Sequence, residues 1–125
     1  MRQVATDHAP KAIGPYSQGM RVGELVFFSG QVPLDAVSGQ ITGANVQEQT
    51  RKVMQNIEAL LKSQGLDFSR IVKSTVFLTN MGDFAAFNEV YASFLKAPYP
   101  ARSTVEVSAL PKGALVEIEC IAWAG

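Results

Sequence analysis

The last segment of the chain, residues 115–123, alternates between two kinds of side chain, which predicts a strand in a sheet covered on both faces. One face is wholly apolar, and we assign it to the side that packs on helices. The other face mixes carboxylates with large apolar groups, so it suits neither open solvent nor an ordinary core. The apolar face comprises Val116, Ile118, Cys120 and Ala122, and the mixed face comprises Leu115, Glu117, Glu119, Ile121 and Trp123.

The whole pattern predicts an α+β fold with the element order β-β-β-α-β-α-β-β, a mixed sheet and two helices on one face. Residues 1–15 look irregular because Pro10, Gly14 and Pro15 punctuate them. The stretch 30–43 is rich in glycine and proline, which is typical of turns. Besides the final strand, strands are predicted at residues 16–22, 24–29, 70–79 and 101–108.

Apolar residues at three-to-four spacing predict two helices. The first spans about residues 45–64 and stops at Gly65, and the second follows Asp83 as its N-cap and ends before Pro98. The buried stripe of the first helix is Val46, Thr50, Val53, Ile57, Leu60 and Leu61, and that of the second is Phe84, Phe87, Val90, Tyr91 and Phe94.

The chain has 125 residues, with 11 Lys plus Arg and 11 Asp plus Glu, so its net charge is zero. This predicts one domain over residues 1–125 and argues against a protein that binds nucleic acid through a basic surface. No apolar run reaches membrane-span length and the first residues lack a signal-peptide core, so we expect no membrane partner and a cytoplasmic location. One cysteine, Cys120, and one histidine, His8, argue against a disulfide framework, a zinc site or a Cys–His nucleophile pair.

A positively charged side chain, Arg102, begins the polar face of the predicted strand 101–108. The planar guanidinium presents a fork of donors that matches a carboxylate. Its partner is either a nearby glutamate, in a structural ion pair, or the carboxylate of a ligand. If the polar faces of the last two strands both point away from the helices, one surface carries Arg102, Thr104, Glu117 and Glu119.

The strand at 24–29 is apolar on both faces, yet two helices can cover only one face of the sheet. The uncovered face would expose Phe27, Ile121 and Trp123, which is a large apolar area to leave in water. We therefore expect a homo-oligomer whose interface covers this face, with the polar residues lining clefts between subunits. Two alternatives stay open: these polar residues form ordinary interface salt bridges, or part of the face stays exposed to solvent.

Four short motifs occur in order along the chain: IGPYSQG at 13–19, SGQVP at 29–33, PARS at 100–103, and LPKG at 110–113 followed by EIE at 117–119. The segment VKSTVF at 72–77 and the helical residues Asn88, Tyr91 and Phe94 fit the same pattern. Together these residues closely resemble the RidA/YjgF family of reactive-intermediate (enamine and imine) deaminases. The resemblance covers residues 10–122, so we expect a single RidA-like domain.

The resemblance implies a chorismate-mutase-like fold that assembles as a homotrimer with ligand sites in clefts between subunits. The implied reaction is hydrolysis of reactive 2-imino acids to 2-oxo acids and ammonia. These imines are tautomers of enamines that PLP-dependent dehydratases release, and their removal prevents metabolite damage. The resemblance implies no cofactor and no metal.

By the same resemblance, three residues are expected to act on the substrate. Arg102 matches the arginine that binds the substrate carboxylate. Glu117 matches the acidic residue thought to position the attacking water, and an equally weighted alternative is a structural partner for Arg or Lys at the subunit seam. Tyr16 matches a pocket residue whose ring walls the cleft, and the simpler alternative is interface packing.

Four further residues are expected in the substrate-binding site. Ser29 and Gly30 match a pocket segment in which the hydroxyl and the backbone N–H could donate to the ligand, and Asn88 is expected to orient neighbouring backbone rather than to touch the substrate. Several family members carry cysteine where this chain has Thr104, which removes thiol chemistry there but leaves a hydroxyl. Cys120 is expected to be an inert core residue.

Other functions remain open at this point. Within the same family, the alternatives are a non-enzymatic binder of small carboxylates, a chaperone-like protein, and an RNA-cleaving translation inhibitor. Chorismate mutase shares the fold but needs several cations around a dicarboxylate, and only Arg102 is identified in the expected cleft. A binder needs the arginine but not the acid, so Arg102 together with Glu117 and Tyr16 favours the enzyme.

Overall fold

Six strands form one mixed sheet, and both α-helices pack against the same face of it. The computed structural model describes residues 1–125. The strands are β1 (Arg2–Val4), β2 (Gly19–Val22), β3 (Leu25–Gln31), β4 (Ile71–Leu78), β5 (Ala101–Glu106) and β6 (Val116–Trp123), and the helices are α1 (Val46–Ser63) and α2 (Phe84–Ser93). The strand order is β1-β2-β3-β6-β4-β5, antiparallel throughout except for the parallel pair β4 and β5. The predicted fold class is confirmed. The element order β-β-β-α-β-α-β-β also agrees, although its first strand lies within residues that were predicted to be irregular.

Helix α1 begins within one residue of its predicted start, and Asn45 caps it. The Asn45 side chain accepts a hydrogen bond from the Glu48 backbone N–H at 2.9 Å, and the Glu48 carboxylate accepts one from the Ala44 N–H at 3.2 Å. Gly65, with φ of 71°, follows the end of the helix in the left-handed conformation that glycine adopts readily. The predicted stripe is confirmed, since all its members are buried: Val46, Thr50, Val53, Ile57, Leu60 and Leu61.

Helix α2 starts after Asp83, which occupies the N-cap position as predicted but does not cap the helix with its side chain. A short 3-10 turn, Met81–Asp83, precedes the helix, and the Asp83 side chain makes no capping hydrogen bond. Instead the Asn80 side chain accepts a bond from the Gly82 N–H at 2.9 Å, one turn earlier. The apolar stripe is buried at Phe87, Val90 and Tyr91 and partly exposed at Phe84 and Phe94.

The N-terminal region differs from the prediction in two places. Residues 1–15 are not wholly irregular, because β1 pairs with β2 and buries Val4. Strand β2 begins only at Gly19, since the buried Gln18 side chain bonds to the backbone of residues 6–10 and keeps the preceding segment out of the sheet. A three-residue strand with one buried side chain has too little alternation to be recognised from sequence.

The two faces of β6 lie as the alternation predicts. Its apolar face is packed under the helices, where Val116, Ile118 and Ala122 have no exposed surface and Cys120 is 3% exposed. On the opposite face, large apolar side chains stand partly in solvent. Phe27 is 42% exposed and Trp123 is 46% exposed.

The prediction for β5 is wrong on the side that it assigns to Arg102 and Thr104. The register pairs Arg102 with Ser74 and Thr104 with Val76, and both of these β4 residues are buried on the helix side. This register places Arg102 and Thr104 on the side of the sheet that faces the helices. The arginine is accommodated there because β5 is an edge strand and aromatic rings of α2 cover its inner side. The opposite face carries Glu117 and Glu119.

Neither helix of the fold is both long enough and apolar enough to cross a membrane.

Candidate functional site

Glu117 lies on the mixed face of β6, at the point where β3 bends away from it. The pairing of β3 with β6 shifts register between Phe28 and Gln31, which marks a bulge at Ser29 and Gly30. Any side chain at position 30 would collide with the Glu117 carboxylate. Gly30 therefore provides the space into which the carboxylate turns.

The Glu117 carboxylate opens into a cleft of about 380 Å³. Tyr16, Ser29 and Gly30 line the same cleft, so the fold brings four of the expected site residues together. Tyr16 is 51% exposed, and its ring stands at the mouth of the cleft rather than in the core. The rest of the wall comes from Pro10, Lys11, Ile13, Gln18, Gln31, Val32, Leu34, Pro111 and Lys112.

Ser29 ties the Tyr16 segment to the sheet. Its hydroxyl donates to the Ser17 carbonyl at 2.6 Å, and its N–H donates to the Gln18 carbonyl at 2.9 Å. Because the hydroxyl proton is already engaged, Ser29 offers the cleft an oxygen lone pair rather than the donor expected from sequence.

Gln18 is a positioning residue that sequence reasoning missed. Its buried amide donates to the carbonyls of Thr6 at 3.1 Å and Pro10 at 2.8 Å and accepts from the Thr6 N–H at 2.7 Å. These bonds hold the segment that runs from β1 toward Tyr16 along the cleft. A polar residue inside a glycine-rich motif was the available signal, but its partners are set by a chain reversal that no local pattern encodes.

The environment of Glu117 favours its protonated form. Burial and, second, the neighbouring Glu119 raise the pKa of Glu117 above its ordinary value. No lysine or arginine nitrogen lies within 4.0 Å of it, since Lys62–Glu58 on α1 is the molecule's only ion pair. A carboxyl group whose pKa is shifted toward neutrality is suited to exchange protons with a bound water.

Arg102 occupies a box made by one face of α2. Its guanidinium carbon lies over three aromatic rings, at 5.4 Å from the Phe84 centroid, 5.7 Å from Phe87 and 5.1 Å from Tyr91. Its Nη1 donates to the Asn88 Oδ1 at 2.7 Å. No carboxylate lies within 4.0 Å, so the structural ion pair considered above is absent within the chain.

The free edge of Arg102 opens into a second cavity, of about 450 Å³. Asn88 lines it as expected, but its hydrogen-bond partner is the guanidinium rather than neighbouring backbone. The remaining wall is formed by Tyr91, Ala92, Tyr99 and Pro100. A cation held by aromatic faces and one amide, with other N–H groups free, is a site for an anion approaching in the guanidinium plane.

Thr104 and Cys120 lie away from both cavities' walls. The Thr104 hydroxyl is buried beneath α2 with no hydrogen-bond partner, and Thr104 does not line the cavity of Arg102. Burial raises the pKa of the Cys120 thiol to about 12, which agrees with the expectation of an inert core thiol.

The expected site residues thus fall into two half-sites. The acidic half-site contains Tyr16, Ser29, Gly30 and Glu117, and the basic half-site contains Asn88 and Arg102. They lie on opposite faces of the sheet, so one chain does not join them. No group of three or more His, Cys, Asp or Glu side chains is placed to hold a metal ion.

Comparison with known proteins gives concordant results. Residues 6–124 match the family model described as Endoribonuclease L-PSP. The RutC family protein y4sK of Sinorhizobium fredii is 50% identical over 118 residues, which is 94% of this chain and 94% of that protein. The 2-iminobutanoate/2-iminopropanoate deaminase of Mus musculus is 44% identical over 122 residues, covering 98% of this chain and 90% of the mouse protein.

Among solved structures, E. coli TdcF with bound serine superposes with a TM-score of 0.95 at 44% identity, with both chains covered over 100% of their length. This likeness covers every element described above. The chain therefore belongs to the Endoribonuclease L-PSP family, which is the RidA/YjgF family.

Proposed function

We propose that this protein hydrolyses small 2-imino acids to 2-oxo acids and ammonia. The observation that carries the proposal is the Arg102 guanidinium, which is held between aromatic rings with no carboxylate partner in its own chain. A substrate carboxylate would supply the anionic partner that the guanidinium lacks. The name of the mouse relative, and the serine bound to TdcF, are consistent with a small carboxylate of amino-acid size.

The proposal includes a homotrimer in which the acidic half-site of one subunit meets the basic half-site of the next. The outer face of the sheet supports this assembly, because it leaves large apolar side chains partly in water. Each cavity is open in the isolated chain, and an adjoining subunit would close both. Partly exposed apolar residues of this face include Leu25, Phe27, Val105 and Trp123.

In the proposed mechanism, Arg102 binds the carboxylate and fixes the imine carbon near a water held by Glu117. Glu117 takes a proton from the water as the water oxygen bonds to C2, the C=N electron pair moves to nitrogen, and Glu117 passes that proton to the nitrogen. In the resulting tetrahedral intermediate, Glu117 moves the hydroxyl proton to the amino nitrogen as the C–N bond breaks. Ammonia leaves with the C–N electron pair, the carbonyl of the 2-oxo acid forms, and Glu117 ends deprotonated as it began.

The remaining residues have supporting roles in this scheme. Tyr16 covers the cleft with its ring, and Ser29 and Gly30 shape the wall beside the carboxylate. Asn88 holds one edge of the guanidinium, leaving other N–H groups for the substrate. Thr104 takes no part, because its hydroxyl does not reach either cavity.

The experiment couples threonine dehydratase to this protein with semicarbazide present to trap free imine. Wild type is expected to divert flux from the semicarbazone to 2-oxobutanoate, and Arg102→Ala is expected not to. The matched control is Arg51→Ala, which removes the same charge from an exposed position on α1. Absence of diversion by a folded, oligomeric wild type would reject the deaminase and favour the carboxylate binder.

RNA cleavage is a second candidate because the family model carries the name of an endoribonuclease. It predicts contacts to phosphates, which would make RNA binding weaken steeply with salt. The equal numbers of acidic and basic residues oppose it. Titrating labelled RNA at several salt concentrations decides: no binding, or binding without a salt slope, rejects this function.

A further inference from the structure

Behind the Arg102 box lies a buried pair of hydroxyl groups that the proposed mechanism does not use. The Tyr91 hydroxyl donates to the Ser74 Oγ at 3.0 Å. Tyr91 is 6% exposed and Ser74 is 1% exposed, so the bond is shielded from water. Tyr91 is also the ring nearest to the Arg102 guanidinium, at 5.1 Å.

Ser74 has a special place relative to Arg102. The parallel ladder of β4 and β5 pairs these two residues directly. The same β4 residue therefore neighbours the backbone of Arg102 and holds the ring on which the guanidinium lies. Ser74 is therefore connected to Arg102 twice, once through the strand pairing and once through the Tyr91 ring.

The contact between Tyr91 and Ser74 is directional, whereas the other contacts of the ring are not. Tyr91 packs on Phe87 with centroids 5.3 Å apart and planes tilted by 32°, a contact that tolerates sliding and rotation. A hydrogen bond between buried hydroxyls restricts the ring to one orientation. A phenylalanine would fill the space without a polar group to satisfy, so packing alone does not require the hydroxyl.

We propose that the Tyr91–Ser74 hydrogen bond orients the Arg102 guanidinium for an incoming carboxylate, which makes Tyr91 and Ser74 positioning residues. The inference rests on the proposed function only in taking a carboxylate as the ligand of Arg102. Without the bond, the ring and the guanidinium gain rotational freedom, and part of the binding free energy is lost in restricting them again.

The test measures binding of 2-oxobutanoate by calorimetry, together with kcat and KM for imine hydrolysis. Tyr91→Phe and Ser74→Ala are each expected to raise Kd and KM roughly five-fold, the loss of about one hydrogen bond, with kcat changed less than about two-fold. Because both act through one bond, the double variant should match the single variants rather than multiply their effects. Thr50→Val is the control, since it removes a buried hydroxyl elsewhere that has no partner.

Two results would overturn the inference. One is an unchanged Kd in a folded Tyr91→Phe trimer. The other is a lower kcat and a lower thermal stability together with the raised KM, which indicates a general structural role. Should Ser74→Ala not fold, Tyr91→Phe, which keeps the ring, decides alone. The Kd arm separates this inference from the deaminase: a wild type that binds 2-oxobutanoate without hydrolysing imines rejects the activity only, and a wild type that neither binds 2-oxobutanoate nor hydrolyses imines rejects both.

Discussion

The acidic and basic half-sites keep an unpaired charge in opposite ways. Around Glu117 the backbone is irregular: a bulge in β3, a glycine that clears space, and a loop held by the Gln18 amide. Around Arg102 the backbone is regular, and a helix supplies the rings and the amide that hold the guanidinium. The acidic half-site thus depends on space left free beside the carboxylate, and the basic half-site depends on the side chains that surround the guanidinium.

Despite this difference, neither charged group has an oppositely charged partner within its own chain. The carboxylate has no cation within 4.0 Å and a raised pKa, and the guanidinium has no anion within the same distance. Half-buried charges without partners carry a desolvation penalty that a stable fold normally avoids. Their presence on opposite faces of one sheet supports a site completed by a neighbouring subunit.

The strongest test of the two-half description mixes inactive subunits. Arg102→Ala and Glu117→Gln are each expected to lose roughly 10²–10⁴-fold in activity, since one removes the carboxylate clamp and the other the proton carrier. In randomly mixed trimers, about one quarter of the sites would pair an intact arginine with an intact glutamate from different subunits. The semicarbazide competition after co-refolding measures the recovery.

The control for this mixing experiment pairs Arg102→Ala with the double variant Arg102→Ala/Glu117→Gln, which restores no intact site in any arrangement. Recovery in the first mixture but not in the control supports a site shared between subunits. Failure to recover, in trimers that are verified to contain both subunits, contradicts it.

The role of empty space in the acidic half-site is tested by Gly30→Ala. The added methyl group would collide with the Glu117 carboxylate and displace it, and a misplacement of this size is expected to lower kcat roughly 10²-fold. The comparison variant is Gly14→Ala, whose methyl would lie 3.6 Å from the Tyr16 ring in ordinary contact. Equal kcat values for the two variants would show that the space at Gly30 is not needed.

A smaller effect is expected from the charge beside the carboxylate. Glu119 helps to raise the pKa of Glu117, so Glu119→Gln should lower it. Activity requires deprotonated Glu117 to accept a proton from water, so it is lost as pH falls through this pKa, and the acidic limb of kcat/KM should move to lower pH in the variant. An acidic limb that stays in place, or moves to higher pH, would show that Glu117 is not the group that titrates there.

The smallest effect concerns thiol chemistry, which neither half-site contains. The only cysteine is buried under the helices with a pKa of about 12, and position 104 carries threonine, which has no thiol. Iodoacetamide at neutral pH is therefore expected to leave activity unchanged and to label the chain only after unfolding, as mass spectrometry would report. Rapid labelling of the native protein would place Cys120 in an accessible site.

Local pattern was sufficient for much of the fold. The spacing of apolar residues located α1 within one residue at each end and located the start of α2, although α2 ends at Ser93, well before the predicted stop at Pro98. The alternation in β6 separated its packed face from its mixed face. These features depend on neighbours within one turn or one pleat. The short strand β1 and the cap at Asn80 were missed because their partners are distant or shifted by a 3-10 turn.

The candidate site shows the same division. Sequence motifs identified Arg102, Glu117, Tyr16, Ser29, Gly30 and Asn88 as a set, but not which of them stand together. Gln18, Ser74 and the aromatic box could not be recognised, because their roles arise from contacts between segments far apart in the chain.

Residue patterns along the chain were enough to establish the fold class, the two helices, the two-sided character of β6 and the presence of an arginine without an evident partner. They did not show that Arg102 faces the helices while Glu117 faces away from them, which became clear from the folded chain. Alternation establishes which residues of one strand share a face, but the register with the next strand, and hence the side, depends on long-range pairing. At the edge strand β5, aromatic rings of α2 accept the long arginine side chain, so the polar face turned inward.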